Sequence, residues 1–115
     1  MATTYSKVLL TGGHVKGGWL TITQGSSLGE VIHTAPSTTG VIDEIWLWAT
    51  NEGDATDTLI LEWDGGEEPQ HTRIPPKEPP IQIVPGWTLK NAALTAYAVT
   101  DDITVFGYVN RITST

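Results

Sequence analysis

Short runs of alternating apolar and polar residues, separated by glycine- and proline-rich breaks, make up most of this chain. The runs are rich in Val, Ile, Thr, Trp and Tyr, which are the residues that β-strands favour. No window shows the apolar spacing and the caps of a helix. The predicted strands are Tyr5–Leu10, Trp19–Thr23, Glu30–Thr34, Val41–Asn51, Asp57–Trp63, His71–Ile74, Pro80–Val84, Ala92–Thr100 and Ile103–Ile112.

About eight antiparallel strands in a chain of 115 residues predict an all-β fold, a single β-sandwich or jelly-roll-like domain. This domain is predicted to span residues 1–115, with a short N-terminal arm of about residues 1–5. The segment Pro75–Pro80 is expected to be an extended connection, because proline lacks the amide donor that a central strand needs.

Large apolar side chains occupy both faces of the longest predicted strands. Ile45 and Leu47 alternate with two tryptophans, and Val105 alternates with further aromatic residues. A thin sandwich buries only one face of each sheet, so the second apolar face predicts contact between subunits. The predicted subunit interface consists of Trp46, Trp48, Phe106 and Tyr108. The alternative is that loops such as Gly12–Gly18 or Lys77–Pro80 fold over the tryptophans.

Charge and composition exclude several classes of function. The chain has 13 acidic and 6 basic residues, and its net charge of -7 argues against nucleic acid and anionic membranes as partners. The absence of cysteine excludes disulfides, zinc–thiolate sites and thiol catalysis, and it fits assembly in a reducing cytoplasm. We see neither a signal peptide nor an apolar run that could span a bilayer.

Candidate catalytic and metal-binding residues are few. The three histidines, His14, His33 and His71, lack the spacing of a metal motif. The acidic segment Asn51–Asp57 could surround a calcium ion, but it lacks EF-hand spacing and is more typical of a solvated hairpin loop.

Paired carboxylates for glycoside hydrolysis would first be sought among Asp43, Glu44 and Glu62, which lie on predicted strands. No nucleophile elbow, phosphate loop or dinucleotide fingerprint is present. We therefore expect no enzymatic activity, no metal and no cofactor.

Five tryptophans in so short a chain are expected to fill mostly core and subunit contacts, and carbohydrate binding is the competing interpretation. Tryptophan is favoured at protein interfaces, and it also stacks on sugar rings. A carbohydrate-binding jelly-roll module would need coplanar exposed rings. Trp46 and Trp48, together with Tyr97 or Tyr108, could supply them.

Several stretches resemble small proteins encoded among the head genes of tailed bacteriophages. The resemblance covers nearly the whole chain, although no catalytic motif anchors it. The stretches are Tyr5–Gly12, Val31–Ala35, Asp43–Asn51, Leu59–Trp63, Ile83–Gly86 and Ile103–Ile112.

This resemblance implies a capsid decoration or cement protein. Such a protein is a small β-sandwich, usually a homotrimer, that binds the major capsid protein on the outer surface of the virion and stabilises the shell. It would be assembled in the cytoplasm of the bacterial host. The resemblance also leaves a head–tail connector or a tail component as an alternative. The N-terminal residues Ala2, Thr3, Thr4 and Tyr5 are the predicted capsid contact.

Overall fold

A computed structural model describes residues 2–12, 19–22, 29–63, 69–100 and 103–114 of the chain. All strand pairs in these ranges are antiparallel, and the ranges contain no helix that is long and apolar enough to cross a membrane. The prediction of an all-β fold is confirmed. The strands are β1 (Thr3–Val8), β2 (Trp19–Ile22), β3 (Glu30–Thr34), β4 (Val41–Asn51), β5 (Asp57–Trp63), β6 (Gln70–Ile74), β7 (Ile81–Leu89), β8 (Ala93–Ala98) and β9 (Ile103–Ser114).

The strands form two sheets that enclose one core. Sheet A has the order β1, β9, β4, β7, and β2 pairs with the other half of β9 beside β1. Sheet B has the order β3, β8, β5, β6. Side chains from both sheets, among them Leu47 of β4, Leu61 of β5 and Leu94 of β8, are almost completely buried in a single cluster. This arrangement is a β-sandwich.

The longest ladder of the molecule joins β4 to β9 over eleven consecutive pairs, from Val41 with Thr113 to Asn51 with Ile103. Successive side chains on a strand point to opposite faces. Ile45 and Val109 therefore face the core, whereas their neighbours along each strand face outward. Every second residue of β4 is buried, as the alternation in the sequence predicted.

The bounds of β1 and β7 differ most from the predicted strands. Strand β1 begins at Thr3 and pairs with β9, so Thr3, Thr4 and Tyr5 belong to the sheet instead of a separate arm. Strand β7 continues beyond Val84 to Leu89. Proline is tolerated there because β7 is an edge strand with an irregular register, and Gly86 adopts a positive φ of 81°.

A buried polar network connects the two sheets through His33, Asp43 and Arg111. The backbone N–H of Thr11 donates to His33 Nδ1 over 3.2 Å, so the proton on Nε2 is directed at Asp43 Oδ2, 2.6 Å away. Arg111 donates from Nε and Nη2 to the two carboxylate oxygens of Asp43, at 2.8 and 3.0 Å. The network thus ties β3 of sheet B to β4 and β9 of sheet A.

The network keeps the buried carboxylate of Asp43 ionised. Burial alone would raise its pKa, but the hydrogen bonds from Arg111 and His33 outweigh burial and hold the pKa below its usual value. The hydrogen bond with Asp43 in turn raises the pKa of Arg111. Because the Asp43 pKa is lowered in the folded state, its contribution to stability is present at neutral pH and lost in acid.

We expect R111M to destabilise the fold by about 3 kcal/mol at pH 7, because it leaves the buried carboxylate of Asp43 without its cation. Urea unfolding measures the change in the free energy of unfolding. R73M is the matched control, because it makes the same substitution at an exposed position of β6. As the pH falls below about 4, the usual pKa of an unfolded aspartate, the wild type progressively loses the contribution of Asp43, so the stabilities of the two proteins converge. A difference that stays constant between pH 7 and pH 3 would contradict the role of this ion pair.

Candidate binding face on sheet A

The outward side chains of three neighbouring strand positions in sheet A form cross-strand rows. Strand β4 pairs with one side of β9, and β1 and β2 pair with the two halves of its other side. The register of the three ladders decides which side chains share a row. We call this surface the outer face. Its rows are, in order, Ile42, Ile112 and Tyr5; Glu44, Asn110 and Lys7; Trp46 and Tyr108; Trp48, Phe106 and Trp19; Thr50, Thr104 and Thr21.

The four residues predicted as a subunit interface form a continuous aromatic stack at the centre of the outer face. The ring centres of Trp46 and Tyr108 are 6.4 Å apart and those of Trp48 and Phe106 are 6.1 Å apart, each pair with planes inclined by 15°. Trp48 also stacks on Tyr108 at 6.2 Å and 28°. All four side chains are partly exposed. The structure therefore brings the four predicted residues together on the solvent side of the sheet.

The position of the Trp46 indole is set by a hydrogen bond to Glu44 and by packing on Gly86. Its indole N–H donates to Glu44 Oε1 over 3.0 Å. Its six-membered ring lies on Gly86, where an added Cβ would come within 2.7 Å of the ring. Gly86 therefore serves two purposes, since its positive φ shapes β7 and its missing side chain leaves room for the indole.

Trp48 and Trp19 differ from Trp46, because within the described ranges their indole N–H groups have no hydrogen-bond partner. Trp19 is also 65% exposed. Both indoles therefore offer a donor to whatever covers this part of the outer face.

Two shallow depressions of about 310 and 300 Å³ adjoin these rings and share Trp19 and Phe106 as walls. Thr50, Glu52 and Thr104 form the rest of the second depression. Residues of the predicted covering loop Lys77–Pro80 line neither depression. The other predicted covering loop, Gly12–Gly18, lies outside the described residues except for Gly12.

Charged groups occupy one row of the outer face. Glu44 lies on β4 and Lys7 on β1, with Asn110 of β9 between them. Asn110 donates to Glu44 over 3.4 Å, and the Lys7 ammonium lies 4.5 Å from the ring centre of Tyr108. Among the ion pairs of the described residues, none involves Glu44 or Lys7.

The predicted capsid-contact residues precede or form the start of β1. Tyr5 is 66% exposed and lies on the outer face opposite Ile112, and Thr3 shares its side of the strand. Thr4 points to the other side of the sheet, and Ala2 lies just before the strand. Thr3 and Tyr5 thus extend the outer face at one end.

The candidate catalytic carboxylates do not come together. Asp43 faces the core, whereas the next residue, Glu44, faces outward. Glu62 lies on β5 of the other sheet, where it accepts hydrogen bonds from the backbone of Gly29 and from Thr95. The alternation of β4 and the separation into two sheets keep these three carboxylates apart.

The remaining candidates have structural roles or lie elsewhere. Tyr97 lies on β8 opposite Ile60, so it belongs to sheet B and cannot share a platform with the tryptophans of β4. His33 belongs to the buried network, and His71 lies on β6. His14 lies outside the described residues. Across the described ranges, no three acidic or histidine side chains are placed to hold a metal ion.

The acidic segment after β4 is organised as a turn. Asn51 accepts a hydrogen bond from the backbone of Gly53 over 2.9 Å and donates to the carbonyl groups of Ala55 and Ile74. Asp57 accepts hydrogen bonds from the backbone and the hydroxyl of Thr100. The Asn51 side chain thus satisfies backbone groups of the loop, as Asx turns do, and both side chains also join the loop to neighbouring segments.

Trp19 and Lys7 were not predicted as site residues. Each lies on a short strand at the edge of sheet A, and each joins the outer face only because both strands pair with β9. The tryptophan at the start of a short strand was the one sequence signal that could have indicated Trp19.

We expect G86A to destabilise the protein by about 1–3 kcal/mol and to change the near-ultraviolet circular dichroism of Trp46, because the new methyl group meets both an unfavourable φ and the indole ring. G40A is the matched control, since Gly40 also has a positive φ but contacts the backbone of Ser114. It should destabilise the protein without changing the aromatic signal. An unchanged aromatic signal in G86A would mean that Gly86 does not position Trp46.

Comparisons with known proteins leave the family of this chain open. No family model matches the sequence, and no curated protein matches it. One structure found by the comparison is that of the N-terminal CBM22-1–GH10 modules of an endo-1,4-beta-D-xylanase from Clostridium thermocellum, complexed with xylohexaose. The match has 13% identity and a TM-score of 0.40, and it covers 98% of this chain but 25% of that chain. A likeness at this level assigns neither a family nor a ligand.

Proposed function

We propose that this protein is a non-catalytic structural subunit whose outer face is a protein–protein contact, and that the assembly it serves is the head of a tailed bacteriophage. It would decorate the capsid and stabilise the assembled shell. A protein that binds only the assembled shell shifts the equilibrium toward that shell by mass action.

The proposal rests on the aromatic stack on the solvent side of sheet A. A second apolar row, formed by Ile42, Ile112 and Tyr5, lies on the far side of the charged row. Contiguous apolar patches of this kind mark interaction sites in soluble proteins. Aromatic residues at the centre of a patch are typical of protein interfaces.

We place the protein in the virion because stretches such as Asp43–Asn51 and Ile103–Ile112 resemble phage head proteins. Those two stretches form most of β4 and β9, the strands that carry the aromatic stack. In this proposal the outer face joins subunits, and the region around Ala2 and Thr4 at the start of β1 contacts the major capsid protein. Oligomerisation then multiplies weak capsid contacts into strong binding.

Co-sedimentation with empty shells, assembled from the capsid protein of the same virus, tests the capsid role. The wild type should pellet with the shells to a saturating ratio. W48D should bind at least about a hundred-fold more weakly, because it disrupts the subunit contact and the multivalency with it. Y97D places the same charge on the outward side of sheet B and should bind like the wild type. Wild-type protein that stays in the supernatant would refute the capsid role, whatever its oligomeric state.

A second candidate function is carbohydrate binding, and one specific observation favours it. Within the described ranges, Trp19 and Trp48 have unpartnered indole N–H groups beside two adjoining depressions, which also contain the hydroxyl groups of Thr50 and Thr104. Aromatic rings beside hydrogen-bonding groups suit the apolar faces and hydroxyl edges of sugars. The two functions exclude each other, since a sugar needs the outer face uncovered.

Carbohydrate binding predicts that neutral hexasaccharides quench tryptophan fluorescence in a saturable manner. The panel would include cellohexaose, xylohexaose, laminarihexaose and chitohexaose. W19A should abolish the response, because Trp19 borders both depressions. W87A is the control, since Trp87 is exposed but packs edge-on against Trp63 away from the outer-face rows. A flat titration over the whole panel would eliminate this function.

A further inference from the structure

Within the charged row of the outer face, Glu44 and Lys7 are placed symmetrically about β9. Glu44 lies one strand to one side of Asn110, and Lys7 lies one strand to the other side. Adjacent strands are about 4.8 Å apart, so the two charged residues are separated by about 10 Å along the row. The side chains therefore present one negative and one positive charge at equal distances from the axis of β9.

A two-fold rotation about an axis parallel to β9, and just above the outer face, places a second copy against this surface. The rotation keeps each row at its own height and exchanges the β4 side with the β1 and β2 side. Glu44 of each copy then faces Lys7 of the other, so one contact brings together two opposite-charge pairs. The combined length of a Glu and a Lys side chain is sufficient to span the distance of about 10 Å between packed sheets.

The same operation matches two of the three apolar rows, since the row of Trp46 and Tyr108 has no paired residue on β1 or β2. It places Trp48 over Trp19 of the second copy and Ile42 over Tyr5, and it places Phe106 over itself. The side chains on the β1 and β2 side are the more exposed ones, whereas those on β4 are partly buried. The exposed side chains of β1 and β2 in one copy therefore contact the partly buried side chains of β4 in the other.

The size of the contact agrees with a reversible dimer. The rows extend over about 30 Å along the strands and about 15 Å across them, which gives on the order of 1,000 Å² of buried surface for both copies. That value lies near the lower limit for a specific interface.

We infer that the outer face binds a second copy of this chain through a two-fold contact, with Glu44 of each copy paired to Lys7 of the other. The inference rests on the proposed function, which makes the outer face a protein contact. It goes further by naming the partner surface and its symmetry. A two-fold contact produces dimers or even-numbered assemblies, in place of the trimer that the family resemblance implies.

Light scattering coupled to size exclusion, over a hundred-fold range of protein concentration, tests the inference. The wild type should form a dimer whose dissociation constant rises with salt concentration, because the paired charges are at the surface. E44K and K7E should each weaken the dimer at least ten-fold, since each places like charges opposite one another.

Mixing the two variants provides the decisive control. In a heterodimer of E44K with K7E, the first chain carries a positive charge at both positions and the second carries a negative charge at both. Both cross-copy pairs are therefore again of opposite charge, and the mixture should dimerise much like the wild type. Each variant also loses a contact within its own chain, from Glu44 to Trp46 or from Lys7 to Tyr108, and these losses persist in the mixture. Rescue thus reports only the contact between copies.

Three outcomes would overturn the inference: a monomeric wild type, a trimer, or charge variants that neither weaken the contact singly nor restore it together. Wild-type protein that pellets with shells but gives one of these outcomes refutes the two-fold contact alone. Failure of the two-fold contact is therefore distinguishable from failure of the capsid role.

Discussion

The pairing of β4 with β9 is the constraint on which the rest of this structure depends. The two strands are the longest in the molecule and pair over their full common length, so a single register determines the positions of both sets of side chains. A shift by one residue would turn Ile45 and Leu47 to the solvent and the tryptophans into the core. Gly107 makes the close pairing possible, since a Cβ there would collide with the backbone of Trp46. The aromatic outer face and the aliphatic core are thus two consequences of one ladder.

The buried network of His33, Asp43 and Arg111 adds specificity to this arrangement. Aliphatic packing between two sheets tolerates sliding, because the hydrophobic effect has no direction. A carboxylate that must accept from Arg111 on one side and His33 on the other fixes how sheet B lies on sheet A. Each buried side-chain polar atom in the described ranges has a partner. Leaving such an atom unpaired would cost more than the hydrogen bond contributes.

The inner and outer faces of sheet A differ in how completely their side chains are buried and hydrogen-bonded within one chain. Over the described residues, the inner face is complete within one chain, with a filled core and satisfied polar groups. Over the same residues, the outer face exposes part of the aromatic stack and the unpartnered indole N–H groups of Trp19 and Trp48. Glu44 and Lys7 on this face form no ion pair with any described residue of the chain. This contrast is the reason why the proposed contact is placed on the outer face of sheet A.

The sequence by itself determined the all-β class, the approximate strands and the four aromatic residues of the stack, because alternation along a strand is a local property with a period of two residues. It could not determine that Trp19 and Lys7 join the same face, that Tyr97 lies on the other sheet, or that Asp43 meets His33 and Arg111. Those relations depend on which strands pair and in which register, and residues such as Asp43 and Arg111, 68 positions apart, meet only in the folded chain. Local patterns decide which way a side chain points, whereas the tertiary structure alone decides what it meets.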